Sequence, residues 1–91
     1  GAQLVGAMPG AGGLNAGQML AGELKAALLL HTEPLADCAG AAAACTALGN
    51  AAMVVTMSPF KANLDFSDVL LPISPFTETS GSFVNAEGRV Q

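Results

Sequence analysis

Three short apolar runs set the terms for any fold this chain adopts: Ala-Ala-Leu-Leu-Leu at 26–30, Ala-Met-Val-Val-Thr at 52–56 and Val-Leu-Leu at 69–71. Periodicity alone does not separate such runs from helix, and the first has a composition that favours helix. It is short, however, and it ends at His31-Thr32-Glu33-Pro34, where Pro34 pushes Glu33 toward an extended or turn conformation. The second run is β-branched, the mark of a buried strand. The third is fenced by Asp68 and Pro72, and proline closes a strand because it cannot donate to the ladder.

The segments between these runs supply the crossovers. Asp37 is a suitable N-cap for an Ala-rich helix reaching Leu48, with Gly49 as its C′ residue. Strand, helix and strand within about thirty residues make a βαβ unit with a right-handed crossover. A shorter crossover from Phe60 to Phe66, one or two helical turns long, leads to the third strand. Ahead of the first strand, Asn15 caps a short helix through about Glu23, with Met19, Leu20 and Leu24 on one stripe and Gly22 weakening its end. The predicted fold is α/β: a small open parallel sheet of about three strands with crossover helices, Rossmann-like in outline. Residues 15–72 form its core within a single partial domain, 1–91. Residues 1–14, Gly-rich around Pro9, read as loop. Residues 73–91 read as an extended, weakly anchored tail with at most a short strand at 82–84.

Ninety-one residues bury only a modest core, and much of the 52% hydrophobic fraction is alanine. There is no Trp or Tyr, so four Phe and the Leu, Val and Met positions carry the packing. A mean hydropathy of +0.52 without a large aromatic core implies apolar surface that meets other neighbours. The net charge is −4, with Lys25, Lys61 and Arg89 as the cations, which provides no footprint for a nucleic-acid backbone. No apolar run approaches the roughly 20 residues that span a bilayer, and no cationic leader precedes one. The expectation is a soluble, cytoplasmic piece without direct membrane insertion.

Candidate chemistry is sparse. Gly10-x-Gly12 starts like a dinucleotide fingerprint, but Asn15 stands at the third Gly position, no strand precedes it and no Gly-Lys-Ser/Thr follows; it reads as a packing loop. Cys38 and Cys45, seven apart in the expected helix, would lie on one face roughly 10 Å apart, too far for a disulfide or a shared metal. They are expected to be reduced, small apolar residues. His31, the one histidine, has Glu33 and Asp37 nearby in sequence, but no Ser or Cys sits in a nucleophile elbow, so no catalytic or metal-binding residue is assigned. Open parallel sheets bind ligands outside the carboxyl ends of their strands, here 31–34, 56–59 and 72–74, so His31, Glu33, Thr56 and Ser58 are the crevice candidates.

Ser67-Asp68-Val69-Leu70-Leu71-Pro72, and the stretch from Glu78 through Gly81, Asn85, Glu87, Gly88 and Arg89 to Gln91, carry a family resemblance. They resemble the Ala-Asp-Val-Val-Leu-Pro and Glu-x-x-Gly-Thr-x-x-Asn-x-Glu-Gly-Arg-x-Gln signatures of the molybdopterin oxidoreductase superfamily. Within it, residues 9–20 and 75–81 look most like the large iron-sulfur G subunit of bacterial NADH-quinone oxidoreductase, respiratory complex I. Members are several times longer than this chain. The resemblance therefore implies a structural fragment of a respiratory subunit that supports electron transfer from NADH to quinone, coupled to proton translocation. It implies iron-sulfur clusters held upstream in the parent and no cofactor in this segment. It also implies contacts with other domains of the parent and with neighbouring complex I subunits, on the cytoplasmic side of the inner (plasma) membrane.

Two departures from the molybdenum relatives argue against a bound pterin. His31 replaces a small Gly after the first strand, and Lys61-Ala62-Asn63-Leu64 replaces Thr-Glu-Thr-Ala before Ser67-Asp68. The crevice is thus expected to be vestigial, with Asp68, Glu78, Asn85, Glu87 and Arg89 as structural polar residues. Two alternatives stand beside this reading. One is the guanine-nucleotide-holding part of a genuine molybdopterin enzyme such as a formate dehydrogenase or nitrate reductase. The other is a free-standing small-ligand domain.

Overall fold

Residues 26–30, 53–58 and 69–72 lie side by side in the computed structural model, which describes residues 2–91. Strands β1 (Ala26–Leu30), β2 (Met53–Ser58) and β3 (Val69–Pro72) form one parallel sheet in the order β1-β2-β3. Ala26 faces Met53 and Leu30 faces Met57 across one ladder; Val55 faces Val69 and Ser58 faces Pro72 across the other. The α/β class and the open three-stranded sheet agree with the sequence. β1 forms from good helix formers because a full ladder with β2 outweighs a few tenths of a kcal/mol per residue of helix propensity. β2 starts one residue later than expected and runs on to Ser58.

Helix α1 (Ala16–Ala21) starts where the sequence predicts and stops at Gly22. The Asn15 side chain accepts from the Gln18 N–H at 2.9 Å, and the Gln18 side chain accepts from the Asn15 N–H at 2.9 Å, a complete capping box.

The Ala-rich segment departs from expectation. It is two helices, α2 (Pro34–Asp37) and α3 (Ala41–Gly49). Asp37 ends α2 instead of opening the longer helix, and its carboxylate accepts from the Glu33 N–H at 2.7 Å. Pro34 at the first helical position, with its φ already suitable, explains why the helix begins there. α3 starts from Gly40 without a side-chain cap, and Gly49 is its last helical residue, with Asn50 as the C-cap. The cysteines consequently do not share a helix. Cys38 occupies the break and Cys45 lies in α3, both free and half-buried. The second crossover, expected to make one or two helical turns, holds no helix; it turns through Asn63, whose φ is 60°.

α2 and α1 both pack against α3. Val54, Thr56 and Ser58 of β2 alternate onto one face of the sheet and are all buried, as are Ala44 and Leu48 of α3. The opposite face has no such cover. Leu28, Leu30, Met53 and Leu71 alternate onto it and are 66%, 57%, 48% and 44% exposed.

The ends are irregular, as predicted, apart from 3-10 turns at Ala2–Val5 and Phe76–Glu78. The strand expected at 82–84 is reduced to one antiparallel bridge, Val84 to Val90, beside which Phe83 and Gln91 exchange two backbone bonds of 2.8 Å. The tail thus folds on itself as a small hairpin. The Phe76 and Phe83 rings meet at 5.8 Å.

Candidate functional site

The parallel ladder brings the carboxyl ends of all three strands to one edge. There a cleft of about 650 Å³ opens, lined by Leu30 and His31 from the end of β1 and by Pro72, Ile73, Ser74, Glu78, Thr79 and Ser80 from the chain after β3. His31 leaves β1 with φ 52°, the left-handed region that glycine adopts most readily, and its N–H donates to the Met57 carbonyl at 3.0 Å. This turn aims the chain away from the sheet and puts the imidazole at the cleft.

The other three candidates are not in that cleft. Glu33 is exposed at the start of α2 and borders a separate hollow with Leu35, Cys45, Asn63, Asp65 and Phe66. Thr56, fully buried, shares a hydrogen bond of 2.7 Å between its Oγ1 and Ser67 Oγ. Asn63 Nδ2 lies 3.4 Å from the same Thr56 oxygen and donates to the Thr32 carbonyl at 2.9 Å. Ser58, 4% exposed, accepts from the Phe60 N–H at 3.0 Å. Of the four residues that sequence reasoning groups at one crevice, the fold leaves only His31 facing the cleft and draws two hydroxyls inward.

Sequence reasoning misses the knot formed by Thr32, Thr56, Asn63 and Ser67. It ties the exit of β1, the middle of β2 and the second crossover together. Its side-chain bonds link residues 7 to 31 positions apart, and the readable trace is Asn63, since asparagine tolerates the left-handed region.

The residues that carry the family resemblance hold backbone. Asp68 Oδ2 accepts from the Val54 N–H at 2.7 Å, while the Asp68 N–H donates to the Val54 carbonyl at 2.9 Å, which fixes the register of β3 one residue ahead of the strand. Asn85 Oδ1 accepts from the N–H groups of Glu87 (3.0 Å) and Arg89 (2.9 Å), and Gly88 supplies φ 79° for the same turn. Arg89 pairs with Glu87 at 3.3 Å, well exposed, so the pair adds little stability.

A pterin dinucleotide carries an anionic pyrophosphate, which parallel sheets hold with glycine backbone, helix N-termini or cations. No Lys, Arg or Gly lines this cleft, and Glu78 adds a carboxylate to it. The hydroxyls at the end of β2 are already committed to protein partners. The residues present do not fit that cofactor. Among the described residues no three His, Cys, Asp or Glu side chains converge on a metal-sized space, and no helix is long and apolar enough to cross a membrane.

A family model described as molybdopterin oxidoreductase matches residues 1–91. A stretch of 26 residues is 65% identical to the mitochondrial NADH-ubiquinone oxidoreductase 78 kDa subunit of Candida albicans, covering 29% of this chain and 4% of that relative. The match therefore spans a small part of a much longer protein. No solved structure matches the chain.

Proposed function

The chain belongs to the molybdopterin oxidoreductase family, and from that premise we propose that it is a non-catalytic structural segment of the large iron-sulfur G subunit of an NADH-quinone oxidoreductase. Its contribution to electron transfer from NADH to quinone is to hold shape. Iron-sulfur clusters belong to other parts of the subunit, and the segment packs against those parts and against neighbouring subunits on the cytoplasmic side of the membrane. The observation that carries this reading is the internal use of the polar groups at the end of β2: Thr56 bonds to Ser67 and Ser58 to the Phe60 backbone, and the cleft that remains sets the Glu78 carboxylate, with no Lys or Arg, beside the hydroxyls of Ser74, Thr79 and Ser80. The 26-residue match to a mitochondrial NADH-ubiquinone oxidoreductase subunit supports a respiratory oxidoreductase, and the G-subunit assignment rests on the resemblance of residues 9–20 and 75–81.

One observation favours a second reading, the nucleotide-holding part of a molybdenum enzyme such as a formate dehydrogenase or nitrate reductase. His31 has φ 52°, the backbone conformation that the glycine of the molybdenum relatives adopts most readily. The imidazole lines the space such a ligand would enter, which ranks this reading second. Elemental analysis of the full-length protein separates the two. The scaffold reading expects iron and acid-labile sulfide without molybdenum; molybdenum near one atom per chain would refute it.

A further inference from the structure

We infer that the cleft at the carboxyl ends of the strands is a receptor for a guanidinium cation on an alkyl stem, the group that an arginine side chain presents. The lining that does not suit an anionic pyrophosphate suits its opposite. Its polar part is one carboxylate, Glu78, and the hydroxyls of Ser74, Thr79 and Ser80. Thr79 Oγ1 donates to the Pro75 carbonyl at 3.0 Å, so toward a ligand that oxygen acts as an acceptor. The described residues offer Glu78 no cation of their own. Arg89 pairs with Glu87, Lys25 precedes β1 at the end of the sheet away from His31, and Lys61 lies in the second crossover.

Backbone bonds hold these acceptors in place. The Glu78 N–H donates to the Pro75 carbonyl at 2.9 Å and the Thr79 N–H to the Phe76 carbonyl at 3.3 Å, which closes the 3-10 turn. The Ile73 N–H donates to the Ser58 carbonyl at 3.3 Å and ties that wall to the end of β2. Shape and chemistry select the guanidinium over an ammonium. A carboxylate takes two parallel N–H bonds from the planar fork and leaves the other N–H groups for hydroxyl acceptors, whereas an ammonium is a compact point charge. Leu30, Pro72 and Ile73 line the same space of about 650 Å³ and give an alkyl stem apolar surface to lie on. Leu30 also stands on the bare face of the sheet, so cleft and face are continuous. Polypeptide lying over that face can therefore deliver an arginine into the cleft, and a free guanidinium compound would meet the same atoms.

Two measurements on the full-length protein and its Glu78→Gln variant test this. One is calorimetric titration at low ionic strength with butylguanidinium and with butylurea, its uncharged isostere; the other is a mass-spectrometric count of the arginines that react with phenylglyoxal. Where the cleft is open to solution, butylguanidinium binds, and both the change to butylurea and Glu78→Gln weaken binding about 5-fold or more. Where an arginine of the polypeptide already fills it, the wild type binds neither compound and Glu78→Gln makes one further arginine reactive. Glu33→Gln, at a separate hollow, is expected to leave both readouts unchanged. Equal binding of the two compounds, binding indifferent to Glu78→Gln, or no binding together with an unchanged set of reactive arginines would overturn the inference. Molybdenum in a protein that still binds butylguanidinium through Glu78 would remove the scaffold reading alone, and a molybdenum-free protein that fails both readouts would remove this inference alone.

Discussion

Replacing Asp68 by alanine removes the acceptor of the Val54 N–H, a 2.7 Å bond at the entry of the central strand. Val54 is fully buried with the carboxylate in place, so its amide can reach water only through the space the carboxylate vacates. An orphaned buried donor costs about 1–3 kcal/mol. Asp68 is itself exposed, which lets solvent compete for the carboxylate in the native protein, and the lower part of that range, about 1–2 kcal/mol, is the appropriate expectation. For a domain of this size that loss lowers the thermal midpoint by about 5–15 °C. Asp68→Asn keeps an oxygen acceptor without the charge and is expected to lose less than half as much. Asp65→Ala serves as the control, since Asp65 is exposed three residues away and a surface change of this kind stays within about 0.5 kcal/mol. Thermal unfolding followed by far-UV circular dichroism at one pH and salt concentration reads all three. Equal midpoints for Asp68→Ala and Asp65→Ala, or a larger loss for Asn than for Ala, would refute the role given to this carboxylate.

Thr56→Val keeps the shape of a fully buried side chain but leaves Ser67 without its partner, and is expected to cost about 1–2 kcal/mol in urea unfolding; adding Ser67→Ala should cost less than the sum of the single changes. His31→Gly relieves a left-handed backbone that a β-carbon disfavours and is expected to stabilise by up to about 1 kcal/mol. Asn63→Gly should do the opposite despite a similar φ, because it deletes the bond to the Thr32 carbonyl; differential scanning calorimetry of the pair checks the sign. Asn85→Ala opens the terminal turn, with faster amide exchange at Glu87 and Arg89 and no change in the global unfolding midpoint.

The strands were legible because the apolar runs are short and two of them lead into proline: Pro34 opens the helix after β1, and Pro72 is the last residue of β3, while β2 had no such stop and runs two residues beyond Thr56. The capping box at Asn15 was half visible: Asn15 reads as a cap, while the reciprocal Gln18 contact follows from the same spacing. The split between α2 and α3 had a signal too, since Glu33-Pro34 is a helix start and Gly40 a poor helix interior; Asp37 looked like the stronger cap only because the Ala run behind it suggested one continuous helix. The second crossover failed for a different reason. Residues 60–66 were expected to make one or two helical turns, whereas Asn63 turns the chain and is held by a bond to Thr32, 31 positions away, that no local window contains. For the same reason Thr56 and Ser58 seemed available for a ligand. Position at a strand end places a hydroxyl near the crevice, but only the fold shows which oxygen is already taken.

What the polar and apolar residues do in this chain differs in kind. Nearly every distinctive polar group is turned inward on the segment's own backbone: Asp68 to β2, Asn63 to the exit of β1, Asn85 to the terminal turn. The larger apolar side chains do the reverse. Among the described residues the fully enclosed apolar set is small, Ala44, Leu48 and Val54 with Pro34 and Ala62, while Leu28, Leu30, Met53 and Leu71 stand on a bare sheet face. Parallel sheets are stable when both faces are covered, because their strands carry hydrophobic side chains on each. A segment that spends its polar groups on internal geometry and leaves its apolar groups outward gains little from folding alone and more from being built into something larger. That asymmetry favours a load-sharing role over a ligand-binding one, since a binding site would require polar groups to be held back from the backbone.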